Sequence, residues 1–353
     1  MTALARELAK TRRVCAVGNA PMGAQSLGPR IPEDQESSGS FEWHEWILPP
    51  GYAGRFSKVF APLLARRVGR LTKALRRSTG EWPCVVAPYP YNEPWLALVP
   101  ECPVIYYNLD DYSLYEPHKA SRVAELESRL VHRSERILCL ALTQVERFRR
   151  QVTDQKRVHH FPLGVMDRFI RPFGNDDVEV RSVVYIGNME DRVDWRFVAE
   201  VASRCPQLKF YFVGDVTPEA TPPAEWQQER TTALAMPNVI AVGRVSQADI
   251  TAWSWKAGVN WMPYKASHPF NIACCPTKIM DYMASGRPIL STSVPECALY
   301  PEWIAICDDA VTAAEWLHEQ VGADSDSIKI NGRIEFAMKN TWIIRAQELN
   351  NLL

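Results

Sequence analysis

The chain has 353 residues, enough for two domains of ordinary size, and its 46% hydrophobic and 23% charged content excludes disorder, collagen-like repeats and small disulfide scaffolds. Lys and Arg together number 40 against 41 Asp and Glu, so there is no overall nucleic-acid footprint. Yet Arg55–Arg77 carries eight basic residues and no acidic one, which leaves the remainder of the chain about nine units negative.

No apolar run approaches the ~20 residues that a membrane-spanning helix needs, and the opening MTALARELAKTRR lacks a signal-peptide core, so a cytoplasmic chain is expected. Nine cysteines with no CxxC pair read as reduced thiols packed as small hydrophobes. The seven histidines show no zinc spacing, so no metal ligands are assigned.

Apolar β-rich runs alternate with amphipathic stretches from end to end, the pattern of parallel sheets with crossover helices. A first series has strands at Val14–Gly18, Cys84–Ala87, Val104–Asn108, Ile137–Leu140 and Val158–Phe161. Helices at Ala3–Thr11, Phe56–Arg77, Ser121–His132 and Gln144–Gln151 lie between them. Gly18–Gly51, rich in Gly, Pro, Ser and Glu, reads as a surface loop. A helix ahead of the first strand is unusual for a doubly wound domain and predicts a sheet that lacks its first strand or is incomplete at one edge. Arg168–Arg181, charged and containing Pro172 and Gly174, reads as a linker.

The second series has strands at Val183–Gly187, Phe210–Gly214, Val239–Val242, Val259–Met262, Pro288–Ser291 and Ile304–Cys307. Its helices fall at Asp194–Ser203, Gln247–Trp255, Pro276–Ser285 and Ala310–Gln320, and Thr217–Glu229 with its three prolines reads as a loop. Domains are therefore expected over 1–167 and 182–338, joined by 168–181, with 339–353 as a closing segment.

The helix over 276–285 is sharply punctuated: Pro276 stands at its first position, Gly286 just past its last, and Pro288 two further on. In an open α/β sheet, ligands bind outside the carboxyl ends of the strands, and free N–H groups at a helix start suit a diphosphate. Lys278 adds a positive charge there. Asp281, three residues on, shares its face and either accepts hydrogen bonds from ribose hydroxyls or makes a surface ion pair with Lys278. Asp110 and Asp111 follow directly on a strand. Either one orients a hydroxyl or offsets developing positive charge, or they cap the next turn.

The basic run RFSKVFAPLLARRVGRLTKALRR forms an amphipathic helix with Phe60, Leu64, Leu71 and Leu75 on one side. Arg66, Arg67, Arg70, Lys73, Arg76 and Arg77 line the rest, either as the solvated back of a docked helix or as a surface for anionic lipid.

The string PTKIMDYMASGRPILST resembles the signature of the donor domain in GT-B glycosyltransferases, specifically the retaining group of family four. VVYIGNMEDRVDW, KFYFVGD and NVIAVGRVSQADITAW are similar to further donor-domain segments, and HFPLGVMDRF to the segment that closes the acceptor domain. VIYYNLDDYSLY resembles a motif of bacterial polysaccharide transferases close to the teichuronic-acid type. NTWIIRAQELNNLL resembles the terminal helix that crosses back to the first domain. The resemblance is collinear over nearly the whole chain.

It implies an α/β fold of GT-B architecture, two Rossmann-like domains with parallel sheets facing across a cleft. It also implies a glycosyltransferase that moves a sugar from a nucleotide diphosphate donor onto a bacterial glycan or lipid-linked acceptor, with retention and without metal or cofactor. A peripheral place at the inner face of the plasma membrane goes with a lipid-linked acceptor. On the matching positions, Pro276, Thr277 and Lys278 would hold the diphosphate, Gly187 and Asn188 would allow close approach, and Asp281 would take the ribose. Arg192 is what remains of a basic pair beside the donor, and Gly243 and Arg244 would lie beside the base. Lys278, Asp110 and Asp111 would be the catalytic groups. Ala273 stands where the family often has a glutamate. A catalytically silent sugar-nucleotide-binding or scaffold subunit and a GT-B-fold sugar-nucleotide epimerase are the alternatives.

Overall fold

The computed structural model describes residues 2–21, 40–52, 55–115, 117–174, 177–322 and 327–353. The chain divides into one unit of Met1–Pro162 with Trp342–Leu353 and a second of Leu163–Thr341.

In the first unit, α1 (Thr2–Leu8) leads into β1 (Val14–Pro21), β2 (Phe41–Leu48) and the long α2 (Ser57–Thr79). Then come β3 (Val85–Ala87), β4 (Val104–Asn108), α3 (Ala120–Arg133), β5 (Arg136–Cys139), α4 (Leu142–Arg149) and β6 (Val158–His160). Strands β3 to β6 form a four-stranded parallel sheet in chain order. All five residues of β4 are buried, as expected for a parallel strand covered on both faces. Val104 and Tyr106 pack with Leu130, Ile137, Cys139 and Phe148 in this unit's core.

The sheet begins at β3, because among the described residues β1 pairs only with β2, in a separate two-stranded parallel ribbon. The loop expected over Gly18–Gly51 is thereby corrected at 18–21, where β1 continues to Pro21, and at 41–48, while residues 22–39 lie outside the described residues. Trp46 and Leu48 of β2 are buried against Leu64 of α2 and Trp95, and that packing supports a strand with few β-branched residues.

The second unit runs β7 (Glu179–Ile186), α5 (Trp195–Arg204), β8 (Lys209–Val213), α6 (Glu225–Leu234), β9 (Val239–Gly243) and α7 (Gln247–Lys256). It continues with β10 (Ala257–Met262), α8 (Pro269–Ala273), α9 (Lys278–Ser285), β11 (Ile289–Ser291), β12 (Ile304–Ile306), α10 (Ala310–Gly322) and α11 (Ser327–Met338). Its six strands are all parallel, in the order β12-β11-β10-β7-β8-β9. This is the doubly wound order in which the first and fourth strands, β7 and β10, flank the switch point. Trp195, Phe210, Phe212 and Trp261 are almost fully buried between helices and sheet, each contributing about 2–3 kcal/mol of apolar burial. Helix α12 (Trp342–Leu352) belongs to the first unit and packs on α1.

Three expectations are corrected in the second unit. Residues 168–181 are not a free linker: Arg171 is buried, its backbone N–H donates to Ala284 O and its Nε to Ser285 O, and β7 already begins at Glu179. The loop expected over Thr217–Glu229 becomes α6 from Glu225. That helix is hard to see in sequence because it buries Gln227 and Arg230 rather than an apolar stripe. The helix expected from Pro276 begins at Lys278, since the Pro276 carbonyl accepts from Ile279 N–H in a tight entry turn. Its end is as expected: Gly286 adopts φ 70° and caps α9 with its N–H on Met283 O.

Candidate active site

Strands β7, β8 and β9 end or continue into Gly187, Gly214 and Gly243, all with positive φ. The Gly187 N–H donates to Val213 O and the Gly214 N–H to Gly243 O, so the three glycines step across the carboxyl end of the sheet. A Cβ on Gly214 would sit 2.2 Å from the Gly187 carbonyl oxygen, so no larger residue fits this backbone approach. A Cβ on Gly187 would lie 2.7 Å from both Cε and Nζ of Lys278, which places the ammonium group directly over the end of β7.

Lys278 is the first residue of α9, and Thr277 before it gives no side-chain cap; the Ile279 N–H turns back to Pro276 O, while the Lys278 N–H precedes the first intrahelical acceptor. Nζ lies 5.2 Å from the Tyr185 ring centroid and 5.6 Å from that of Tyr264, the two rings meeting edge to face at 6.3 Å. Among the described residues no carboxylate forms a salt bridge with Lys278. The Tyr282 hydroxyl accepts the Ile186 N–H at 2.9 Å and ties α9 to the end of β7. One turn along α9, burial pushes the Asp281 carboxyl up to about 7, against the opposing pull of Lys278 and Arg168.

The loop after β7 is fixed from beneath. Buried Arg230 donates to Met189 O at 3.0 Å and Thr217 O at 2.7 Å, Trp195 Nε1 donates to Glu190 O at 3.0 Å, and the Asn188 carbonyl accepts from the Tyr185 hydroxyl. Arg192 pairs with Glu190 and stacks 4.8 Å over Phe270. Its carbonyl is held by Asn271 Nδ2 at 2.9 Å. Arg244, beside Gly243, is exposed and paired with Asp215. Lys278, Gly187 and Asn188 are thus gathered at the end of β7, Asp281 lies one turn along α9, and Arg244 makes a surface ion pair.

In the first unit, β4 ends in Asn108, fully buried, whose Nδ2 donates to the Tyr106 hydroxyl at 3.0 Å and to Asp110 O at 2.8 Å. Tyr106 donates to Glu127 at 2.6 Å, and Glu127 is paired with Arg147 at 2.8 Å. The neighbouring aspartates differ. Asp111 Oδ1 accepts the Ser113 N–H at 3.1 Å and the Ser113 hydroxyl at 2.5 Å, capping the turn of Tyr112–Leu114. Asp110 Oδ2 accepts from the exposed Tyr115 hydroxyl at 2.6 Å.

On α2, Leu64 is buried, while Phe56, Val59, Leu63, Arg66, Arg70, Lys73 and Arg77 are exposed at alternating spacings of three and four. Arg67 and Arg76 lie over the rings of Trp46 and Trp82, at 4.6 and 4.4 Å.

Residues 180–315 match the model of the family described as "Glycosyl transferases group 1". The chain has the GT-B fold, and the stretch that matches this family model lies in its second unit. A relative named as a teichuronic acid biosynthesis glycosyltransferase, TuaH of Bacillus subtilis, is 26% identical over 183 residues, 49% of this chain and 44% of that protein. The chain thus spans less than half the length of the curated relative it matches. Anabaena Alr3699/HepE in complex with UDP-glucose is similar in structure, with TM-score 0.65, 12% identity, and coverage of 88% of this chain and 85% of that one. The E. coli structure "Trehalose-6-phosphate from E. coli bound with UDP-2-fluoro glucose" is similar too, with TM-score 0.67, 9% identity, and coverage of 98% of this chain and 94% of that one.

In the matching stretch, sequence reasoning missed Tyr185, Tyr264, Glu190 and Arg230. Tyr185 and Tyr264 lie on or just after apolar strands and read as core; only their position around the Lys278 ammonium distinguishes them. Arg230 lies on a helix without an apolar stripe, so nothing in its local pattern marks it as the support of the loop after β7. No described helix is long and apolar enough to cross a membrane.

Proposed function

We propose that the chain transfers a sugar from a nucleotide diphosphate donor onto a bacterial glycan or lipid-linked acceptor, with retention and in the manner of the family-four enzymes. The observation that carries this reading is the Lys278 ammonium over Gly187 at the uncapped start of α9, within a region of the group 1 glycosyl transferase family. The donor diphosphate rests on the backbone of 276–278, through the N–H groups of Thr277 and Lys278, and on the Lys278 ammonium, with Gly187 and Asn188 on its other side. As the glycosidic bond breaks, negative charge grows on the departing diphosphate. Lys278 and the oriented amides meet that charge where other enzymes place a metal ion; removing one such group usually costs ~10²–10³ in rate. Asp281 accepts from the ribose hydroxyls, and Gly243 and Arg244 border the base. Arg192, released from Glu190, turns to the donor. No cofactor enters this scheme.

Asp110 orients the acceptor hydroxyl, which attacks the face the diphosphate leaves, and the diphosphate helps to remove its proton. Asp111 serves this geometry through the turn it caps. The exposed stripe of α2, apolar from Phe56 to Leu63 and cationic from Arg66 to Arg77, rests on an anionic membrane surface at the cytoplasmic face, where each basic residue contributes ~1 kcal/mol.

A thermal-shift panel of UDP-, GDP-, ADP- and dTDP-sugars tests the reading, UDP-glucose first because the HepE structure holds it. Stabilisation by one donor series is expected. Interconversion of the donor sugar without acceptor would instead assign an epimerase, and binding with neither conversion nor transfer a silent subunit.

A further inference from the structure

The two-stranded ribbon of the first unit holds a group of side chains that the donor chemistry does not use. Cys15 of β1 is the register partner of Glu42 on β2, and His44 lies two residues beyond Glu42. Because side chains alternate along a strand, all three project from one face. Cys15 Sγ, a Glu42 carboxylate oxygen and a His44 ring nitrogen lie within 4.8 Å of one another, and among the described residues this is the one group of three metal-ligating side chains so close together.

We propose that Cys15, Glu42 and His44 form a binding site for a borderline-soft divalent cation of the Zn²⁺ type, stapling β1 to β2. The donor set is one thiolate, one carboxylate and one imidazole, all ordinary zinc ligands, with a fourth position left for water. Bonds of about 2.0–2.3 Å in a tetrahedron put ligand atoms roughly 3.5 Å apart. His44 Nε2 and Glu42 Oε2 are already 3.7 Å apart, too far for a hydrogen bond and close to that spacing. Nε2 is shielded from solvent and has no hydrogen-bond partner, a state a metal bond would resolve.

The surrounding contacts suit the role. Arg13 grips Glu42 through Oε1 and donates to Ser78 Oγ at 2.7 Å, which fixes the carboxylate and leaves Oε2 facing His44. An open surface depression of about 320 Å³, lined also by Trp46, Arg67, Arg70 and Leu71, borders His44. The ribbon itself has only two strands, and such a pair is marginal without further support. A cation would cross-link positions 15 and 42, closing a long stretch of chain, so its binding adds directly to the stability of the ribbon. The residues lie far apart in sequence, and for that reason no spacing announces them.

The test uses the full chain without an affinity tag, dialysed against EDTA and titrated with Zn²⁺ against a chromophoric chelator, then with Co²⁺. One equivalent of Zn²⁺, a raised Tm, and a near-ultraviolet thiolate-to-cobalt band are expected. Cys15→Ser should abolish that band, and His44→Ala should weaken Zn²⁺ binding at least ~10-fold, while Cys275→Ser changes neither. A second measurement needs no variant: Zn²⁺ should protect Cys15 of the natural chain from alkylation, read by peptide mass spectrometry. Substoichiometric binding, equal binding by Cys15→Ser and His44→Ala, or alkylation of Cys15 at the same rate with and without Zn²⁺ would overturn the proposal.

Discussion

Asp110 and Asp111 are neighbours in sequence with separate partners, and the difference sets what each substitution should do. Asp111 is occupied by Ser113, so Asp111→Ala should cost about 1 kcal/mol of stability through the lost cap. Asp110 accepts from the exposed Tyr115 hydroxyl, and its proposed work is on the acceptor. Asp110→Asn should therefore lower transfer by ~10²-fold or more while leaving nucleotide affinity and Tm nearly unchanged, as judged by steady-state kinetics beside calorimetry. Undiminished transfer by the folded variant would reduce Asp110 to a turn-forming residue. Asp281 carries a pH signature. Its folded carboxyl is pushed up to about 7 from an ordinary value of 3.8, so the folded state holds a proton the unfolded chain gives up. The stability this lends is present at low pH and is lost as pH rises through about 4 to 7. Asp281→Asn lacks the ionisation, so its Tm should gain on that of the natural chain between pH 5 and pH 8. A constant difference over that range would place Asp281 in an unperturbed setting.

At the scale of elements, α9 was legible because its end is written in residue types: Gly286 takes the left-handed cap and Pro288 forbids continuation. Its start was misplaced by two residues, since a proline at a helix entrance serves a tight turn as well as a first helical position. Strand β2 was hidden for a different reason. FEWHEWIL has no β-branched residue before Ile47, and its burial is earned from Leu64 and Trp95, which no local window contains. Helix α2 was legible in both extent and amphipathicity, and its exposed stripe yields a prediction. Liposome flotation of the full chain should require anionic lipid, fade as salt is raised, and be abolished by Arg66→Glu with Arg70→Glu and Lys73→Glu. Flotation that ignores lipid charge and salt, or a variant that still floats, would leave α2 as a docked helix with a solvated back.

For the whole molecule, the alternation of strand and helix was enough to indicate parallel sheets, because covered parallel strands such as β4 and β10 read as short apolar runs. What alternation does not carry is strand order. The six-stranded order, with β7 beside β10, is the fact that turns Gly187 and Lys278 from separate motif positions into one crevice. Nor could the sequence show that Tyr185 and Tyr264 frame the ammonium or that Arg230 braces the loop after β7, since each depends on contacts between distant segments. The most direct test of the account is isothermal titration of the full chain and its Lys278→Ala variant with UDP-glucose, UDP and uridine, extended to the GDP, ADP and dTDP series. The natural chain should bind one diphosphate series saturably, and Lys278→Ala should weaken that binding at least ~10-fold while leaving nucleoside affinity almost unchanged. Equal losses for diphosphate and nucleoside, an unaffected variant, or no binding in any of the four series would contradict a donor site at the start of α9.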